Sequence, residues 1–191
     1  MQLNQLTLVC ASGSRRSATI AAWANHLTKN YDHLAGLVIA NAALYQDKVE
    51  REASLRIERL WKCKKALGER YHSEVEMFGG SKSTIHPRMG IILLSLGINE
   101  VLDQRVQVVS KQLLEDSSLV LVAEDCMKGE ILRRTHYLGQ IYTVKEFVGY
   151  KKEYHNLKDR HAWGTTGRKL RKDLEFCMDL RQYATGILVR I

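Results

Sequence analysis

The stretch Leu6-Thr7-Leu8-Val9-Cys10-Ala11-Ser12-Gly13-Ser14-Arg15-Arg16-Ser17-Ala18-Thr19-Ile20 passes from an apolar run through a short polar loop into a helix. Leu6 to Val9 reads as a strand, because it is short, uniformly apolar and stopped by a loop. Burial on both faces favours a central parallel strand. After Ser17, the spacing of Ile20, Trp23, Ala24 and Leu27 predicts a helix over 19–28 with one packed side. Trp23 is read as a packing residue. Five residues separate Cys10 from Arg16, and Ser17 follows at once. A loop of this kind turns backbone N–H groups inward, and the helix N-terminus adds partial positive charge, so the two together make an anion site. Arg16 supplies a planar fork for two oxygens of that anion. The same field favours a thiolate at Cys10, and Ser17 is placed to donate to the sulfur. A cysteine at a strand end is also commonly just a small buried hydrophobe, so the rest of the chain must carry part of the argument.

The chain of 191 residues is 45% hydrophobic, which suits one core and a single domain over 1–191. Its formal net charge of +8 fits a partner that carries phosphate. The densest basic patch, Arg168-Lys169-Leu170-Arg171-Lys172, alternates with apolar residues like a solvated helix flank rather than a nucleic-acid face. Cys10, Cys63, Cys126 and Cys177 are widely spaced and form no metal-ligand pattern. His155 and His161 lack a third ligand, so no metal is expected, and no cofactor. No apolar segment approaches a membrane span, and the N-terminus lacks the pattern of a signal peptide. A reducing, cytoplasmic setting is expected, in which a thiolate survives.

Further along, residues 31–72 read as a largely helical insertion, with an Ala-rich apolar stretch over 34–44 and a charged amphipathic stretch over 47–67. Residues 73–78 read as a second strand stopped by Gly79-Gly80. Pro87 suits the first turn of a helix that continues over 89–96. Residues 107–114 read as a short helix or a connection. Leu119-Val120-Leu121-Val122-Ala123 is the clearest strand after the first, and the acids Glu124 and Asp125 follow it. Residues 140–144 read as a fourth strand. A closing helix over 168–191 places Leu170, Leu174, Cys177, Leu180, Ala184, Ile187 and Ile191 on one face. Strands alternating with helices imply an α/β fold: a three-layer αβα sandwich around a mostly parallel, four-stranded sheet. Ligands bind such sheets at the carboxyl ends of the strands, where the Cys10 loop falls.

In these blocks the chain resembles the low-molecular-weight protein tyrosine phosphatases. The resemblance rests on the Cys-x5-Arg-Ser spacing from Cys10 to Ser17. It is supported, in order, by Ile85-His86-Pro87-Arg88-Met89, Leu96-Gly97-Ile98, Gln104-Arg105, Leu119 to Asp125, Glu146-Phe147 and an aspartate loop before one closing helix. It covers most of the chain outside residues 31–72. It implies that Cys10 is the nucleophile, Arg16 the oxyanion clamp and Asp159 the general acid. It also implies that Ala11, Ser12, Gly13, Ser14, Arg15 and Ser17 hold the phosphoryl group, and that His161 and Trp163 border the cleft. The sequence departs from the family in four places. Ser12 and Gly13 stand where Gly and a loop-bracing Asn are usual, Arg15 where a second cysteine is usual, and Ala18 where a proline is usual. The customary Asp-Pro reads Asp159-Arg160, with Asp125 as an alternative acid.

The implied function is cysteine-dependent hydrolysis of a phosphomonoester through a cysteinyl-phosphate. The expected partner is a phosphorylated protein, above all one carrying phosphotyrosine, or a small aryl or sugar phosphate. No nucleic acid and no membrane partner is expected, and the oligomeric state is open. Two alternatives share the loop. A non-catalytic phosphate- or phosphopeptide-binding module needs Arg16 and the N–H cradle but neither Cys10 nor Ser17. A phosphocarrier of the sugar-transport type uses a similar Cys-Ala-Ser-Gly-Ser start but needs neither Arg16 nor an acid loop.

Overall fold

A computed structural model of the chain describes residues 3–151, 156–157 and 167–191. β1 (Gln5–Cys10) is buried at every position from Leu6 on, as a strand covered on both faces must be. α1 (Arg16–Thr28) returns the chain to β2 (Val38–Ala43), which pairs parallel with β1 and aligns Cys10 with Ala43. α2 (Gln46–Ser54), α3 (Arg56–Leu67), α4 (His72–Gly80) and α5 (Pro87–Ser95) then lead to β3 (Val106–Val108). α6 (Lys111–Glu115), β4 (Leu119–Val122), α7 (Cys126–Thr135), β5 (Ile141–Thr143), α8 (Val144–Phe147) and α9 (Gly167–Leu188) complete the order.

Among the described residues the sheet has five strands, all parallel, in the order β3-β2-β1-β4-β5. From β1 the chain moves outward through β2 to β3, and from β4 it moves the opposite way to β5. The order therefore reverses between β1 and β4, which opens a crevice at their carboxyl ends and puts Cys10 on its edge. With this strand order, the right-handed rule for parallel crossovers assigns α1 and the α2–α5 run to one face and α6 and α7 to the other. α1, α5 and α9 pack against one another on the first face. The result is the expected α/β layering around a parallel sheet.

The strand count is five rather than four, and two segments change type. Val38–Ala43 belongs to the stretch read as helical insertion but forms β2, inside the sheet. Its alanines favour helix locally. In the sheet they are small enough to lie under α1, and Ala42 and Ala43 are fully buried. Residues 73–78, read as a second strand stopped by Gly79-Gly80, lie in α4 instead. Val75 and Phe78 face inward, three residues apart, while Met77 is exposed, so the true period is helical. β3 is only 3 residues long, too short for its alternation to be legible, and it takes the start of the 107–114 stretch read as a short helix or a connection, of which α6 is the helical part. In α9 the inward stripe runs through Asp173, Phe176, Cys177, Leu180, Ala184 and Ile187, while Leu174 is 38% exposed.

The α4–α5 contact is close. A Cβ built on Gly90 would lie 2.0 Å from Cε2 of Phe78, a ring that is fully buried. Arg56 stacks on that ring, 4.8 Å from its centroid, and donates to the carbonyl oxygen of Phe78 at 3.0 Å. Gly90→Ala is therefore expected to destabilise the protein by about 1–3 kcal/mol in urea unfolding, overpacking outweighing the gain in helix propensity.

Candidate active site

The loop after β1 is shaped by where its carbonyl groups go. The oxygen of Cys10 accepts from Leu44 N–H at 2.9 Å, and that of Ala11 accepts from Tyr45 N–H at 3.1 Å. The oxygen of Gly13 accepts from Nδ2 of Asn41 at 2.6 Å. The oxygen of Ser14 accepts from His86 N–H at 2.9 Å, and that of Arg15 from Thr19 N–H at 2.8 Å. Each of these carbonyls points outward, to the exit of β2, the start of α5 or the first turn of α1. In a trans peptide the next N–H points the opposite way. The N–H groups of Ala11, Ser12, Ser14, Arg15 and Arg16 are thereby turned to the concave side, beside the N-terminus of α1. A concave row of N–H groups at a helix N-terminus is the geometry that suits an oxyanion.

Gly13 makes the turn possible. Its φ is 65°, and a Cβ there would lie 1.9 Å from Cγ2 of Val106. Both the left-handed backbone and the approach of β3 demand glycine. Ser12 and Ser14 bond to each other through their hydroxyls at 2.8 Å. The loop-bracing amide lies outside the loop, on β2. Asn41 holds the Gly13 carbonyl with its nitrogen and accepts from Ser17 Oγ at 2.7 Å with its oxygen. It is the one polar side chain in Val38-Ile39-Ala40-Asn41-Ala42-Ala43, a signal that sequence reading missed.

Cys10 is 2% exposed, and Ser17 Oγ lies 3.0 Å from its sulfur. Ser17 carries one hydroxyl proton for two acceptors, Cys10 Sγ and Asn41 Oδ1. A thiol at Cys10 can donate a hydrogen bond to Ser17, which then donates to Asn41; a thiolate accepts the Ser17 hydrogen bond instead. Arg16 is 5% exposed. Its Nη1 pairs with Oε1 of Glu124 and donates to the Leu157 carbonyl at 2.7 Å. Leu157 N–H in turn donates to Ala123 O at 2.8 Å, and Asn156 Oδ1 accepts from Asp125 N–H at 2.7 Å. The end of β4 and the 156–157 segment thus orient the fork. Glu124 is the second residue whose role sequence reading missed.

The structure therefore brings Cys10, Ala11, Ser12, Gly13, Ser14, Arg16 and Ser17 together at the end of β1. Arg15 belongs to the loop backbone, but its side chain turns to Asp173 of α9. Asp125 pairs with Lys128 at 3.0 Å on the first turn of α7. Asp159, Trp163, His155 and His161 lie outside the described residues. Burial pushes the Cys63 thiol up to about 11 and raises that of Cys177 as well, so both stay protonated near neutral pH. Among the described residues no cluster of His, Cys, Asp or Glu suited to a metal ion is found, and no helix is long and apolar enough to cross a membrane. A cavity of about 90 Å³ beside Ser12 takes Val49, Glu52 and Ala53 of α2 as one wall.

No protein-family model and no curated protein matches the sequence. Solved structures do match the fold. A low molecular weight protein tyrosine phosphatase from T. tengcongensis superposes with a TM-score of 0.59 at 16% identity, over 98% of this chain and 99% of that chain. The tyrosine phosphatase amsI of Erwinia amylovora gives 0.62 at 16% identity, over 99% and 93%. The YwlE arginine phosphatase of Geobacillus stearothermophilus gives 0.58 at 14% identity, over 97% and 94%. The chain has the low-molecular-weight protein tyrosine phosphatase fold, in a divergent sequence.

Asn41→Ala leaves the Gly13 carbonyl without its donor and Ser17 without its brace. It is expected to cost about 1–3 kcal/mol in stability and to weaken binding of inorganic phosphate, read by calorimetric titration. Unchanged phosphate affinity in a folded Asn41→Ala variant would show that the loop holds its shape without this amide.

Proposed function

We propose that the chain is a cysteine-dependent phosphomonoester hydrolase, a protein tyrosine phosphatase acting through a cysteinyl-phosphate. The observation that carries this reading is Ser17 Oγ at 3.0 Å from Cys10 Sγ, beneath the oxyanion cradle. A module that only binds phosphate has no use for a hydroxyl aimed at sulfur; a thiolate nucleophile and leaving group does.

The reaction follows from the geometry in two displacements. The Cys10 thiolate attacks phosphorus, the P–S bond forms and the ester P–O bond breaks in line. The loop N–H groups and the Arg16 guanidinium hold the equatorial oxygens, and this charge stabilisation is the main catalytic contribution. The departing oxygen takes a proton from a carboxylic acid. Water then attacks the phosphocysteine and gives its proton to the same carboxylate. The P–S bond breaks, releasing inorganic phosphate and the thiolate, to which Ser17 donates. Asp159 is assigned as that acid, and Asp125 is the alternative. In support, Leu157 stands only two residues before Asp159 and touches Arg16 through its carbonyl.

Phosphotyrosine in a protein is the proposed substrate, since a phenolate is a good leaving group. Names of structural neighbours cover both tyrosine and arginine phosphatases, so phosphoarginine is the competitor to run beside it. A reducing, cytoplasmic compartment suits the thiolate.

The test is metal-free hydrolysis of an aryl phosphate. Cys10→Ser is expected to abolish turnover and to stay folded. Asp159→Asn is expected to slow turnover roughly 10²–10⁴-fold. Loss in Cys10→Ser with no loss in Asp159→Asn transfers the acid role to Asp125. A folded wild type that binds phosphate without turnover overturns the enzyme in favour of a binding module.

A further inference from the structure

The residue before Arg16 is a second arginine, and it is tied to the far end of the chain. Arg15 Nη2 lies 3.8 Å from Oδ1 of Asp173 in α9, and the Arg15 side chain is 13% exposed. Asp173 is 1% exposed, on the inward stripe of α9. Its Oδ2 lies 2.5 Å from Nε of Arg88, in the first turn of α5. A carboxylate so buried is costly unless it is paired, and here two guanidinium groups from two other elements converge on it. Burial pushes the Asp173 carboxyl up, while Arg88 and Arg15 pull it down. The α5 arm reaches the loop a second time, because His86, next to Pro87, gives its N–H to the Ser14 carbonyl. The exit half of the loop is thus held from α5 at Ser14 and from α9 at Arg15, and Asp173 joins the two helices.

We propose that Asp173 is a positioning residue for the oxyanion cradle, acting through Arg15. The proposal rests on the reading of the Cys10 loop as an oxyanion site. Arg15 contributes an N–H to the cradle and is bonded directly to Arg16, so the tilt of its peptide sets both the last N–H groups and the base of the clamp. Anchoring its side chain on a buried carboxylate fixes that tilt. Because α9 follows the segment that contains Asp159 and Trp163, the same contact couples the cradle to the helix after the proposed acid.

Charge and position make opposite predictions for one variant. Asp173→Asn removes the anchor but leaves both guanidinium charges. If Arg15 acts by charge, losing the neighbouring carboxylate strengthens anion binding. If Arg15 acts by position, the same change weakens it. The experiment is calorimetric titration with orthovanadate and with inorganic phosphate, alongside kcat and KM for an aryl phosphate and thermal unfolding of each variant. Arg15→Met and Asp173→Asn are each expected to weaken oxyanion binding about tenfold to a hundredfold in folded protein and to lower kcat. The double variant is expected to bind no worse than the weaker single, because both changes cut one contact. Equal or tighter binding by Asp173→Asn overturns the proposal, as does full additivity.

If Asp173→Asn fails to fold, Arg15→Met decides, since it keeps the Asp173–Arg88 pair. A deficit that persists at high ionic strength supports positioning, and a deficit that salt removes overturns it. A wild type that binds neither anion sinks the oxyanion-site reading itself. A wild type that binds, with variants that bind equally, sinks only the role of Asp173.

Discussion

Between Cys10 and Arg16 the backbone is held by its oxygens. Leu44, Tyr45, Asn41, His86 and Thr19 each draw one loop carbonyl outward, and the planarity of the peptide then sends the following N–H groups inward. No loop side chain is needed to set this backbone geometry. What the geometry does need is a ring of donors around it, and these come from β2, the residue before α5 and α1. The sheet order supplies them. Because β2 lies directly beside β1, its exit residues run alongside the loop, and because the order reverses between β1 and β4, the other side opens for Glu124 and Leu157 to hold Arg16.

The loop sequence would be awkward by itself. It has glycine where a bracing amide is usual and arginine where a second thiol is usual. Both departures are matched elsewhere in the molecule. The amide comes from Asn41 on the neighbouring strand, and Gly13 leaves room for that strand and for Val106 to come close. Arg15 finds a buried carboxylate on α9. These are long-range exchanges, in which a local loss is balanced by a residue that only the fold brings near. The Asn41 amide is hydrogen-bonded through both its nitrogen and its oxygen, Asp173 is held by ion pairs to two arginines, and the cost of leaving such buried groups unpaired ties the loop to its surroundings.

Charge follows the same pattern. The chain carries an excess of 8 positive charges, yet the arginines nearest the loop are not free surface charges. Arg16 is oriented by Glu124, and Arg15 and Arg88 share Asp173. Of the other cysteines, Cys63 and Cys177 are buried and held as thiols, and burial together with the Glu124 carboxylate raises Cys126 as well. Cys10 alone has a hydroxyl, that of Ser17, donating to its sulfur among the described residues.

Much of this architecture is legible in local sequence patterns. The apolar run of β1, the five-residue gap from Cys10 to Arg16 and the amphipathic start of α1 are such patterns, and a strand–loop–helix unit is decided by neighbours in sequence. The parallel α/β layering follows from the alternation of elements. The fifth strand, the helical state of residues 72–80 and the place of β2 beside β1 are not legible. Val38–Ala43 is rich in a helix-favouring residue and becomes a strand only because β1 offers it hydrogen bonds. Val75 and Met77 alternate like a strand, and only packing against α5 reveals that Val75 and Phe78 are the inward pair. Asn41 lies 24 residues from Ser17, Glu124 lies 108 from Arg16, and Asp173 lies 158 from Arg15. Their hydrogen bonds and ion pairs have no short-range signature. The sequence by itself determined the strand–loop–helix turn from Cys10 to Ser17; the tertiary structure decided what braces that turn, because bracing needs donors and acceptors that meet only when the sheet has formed.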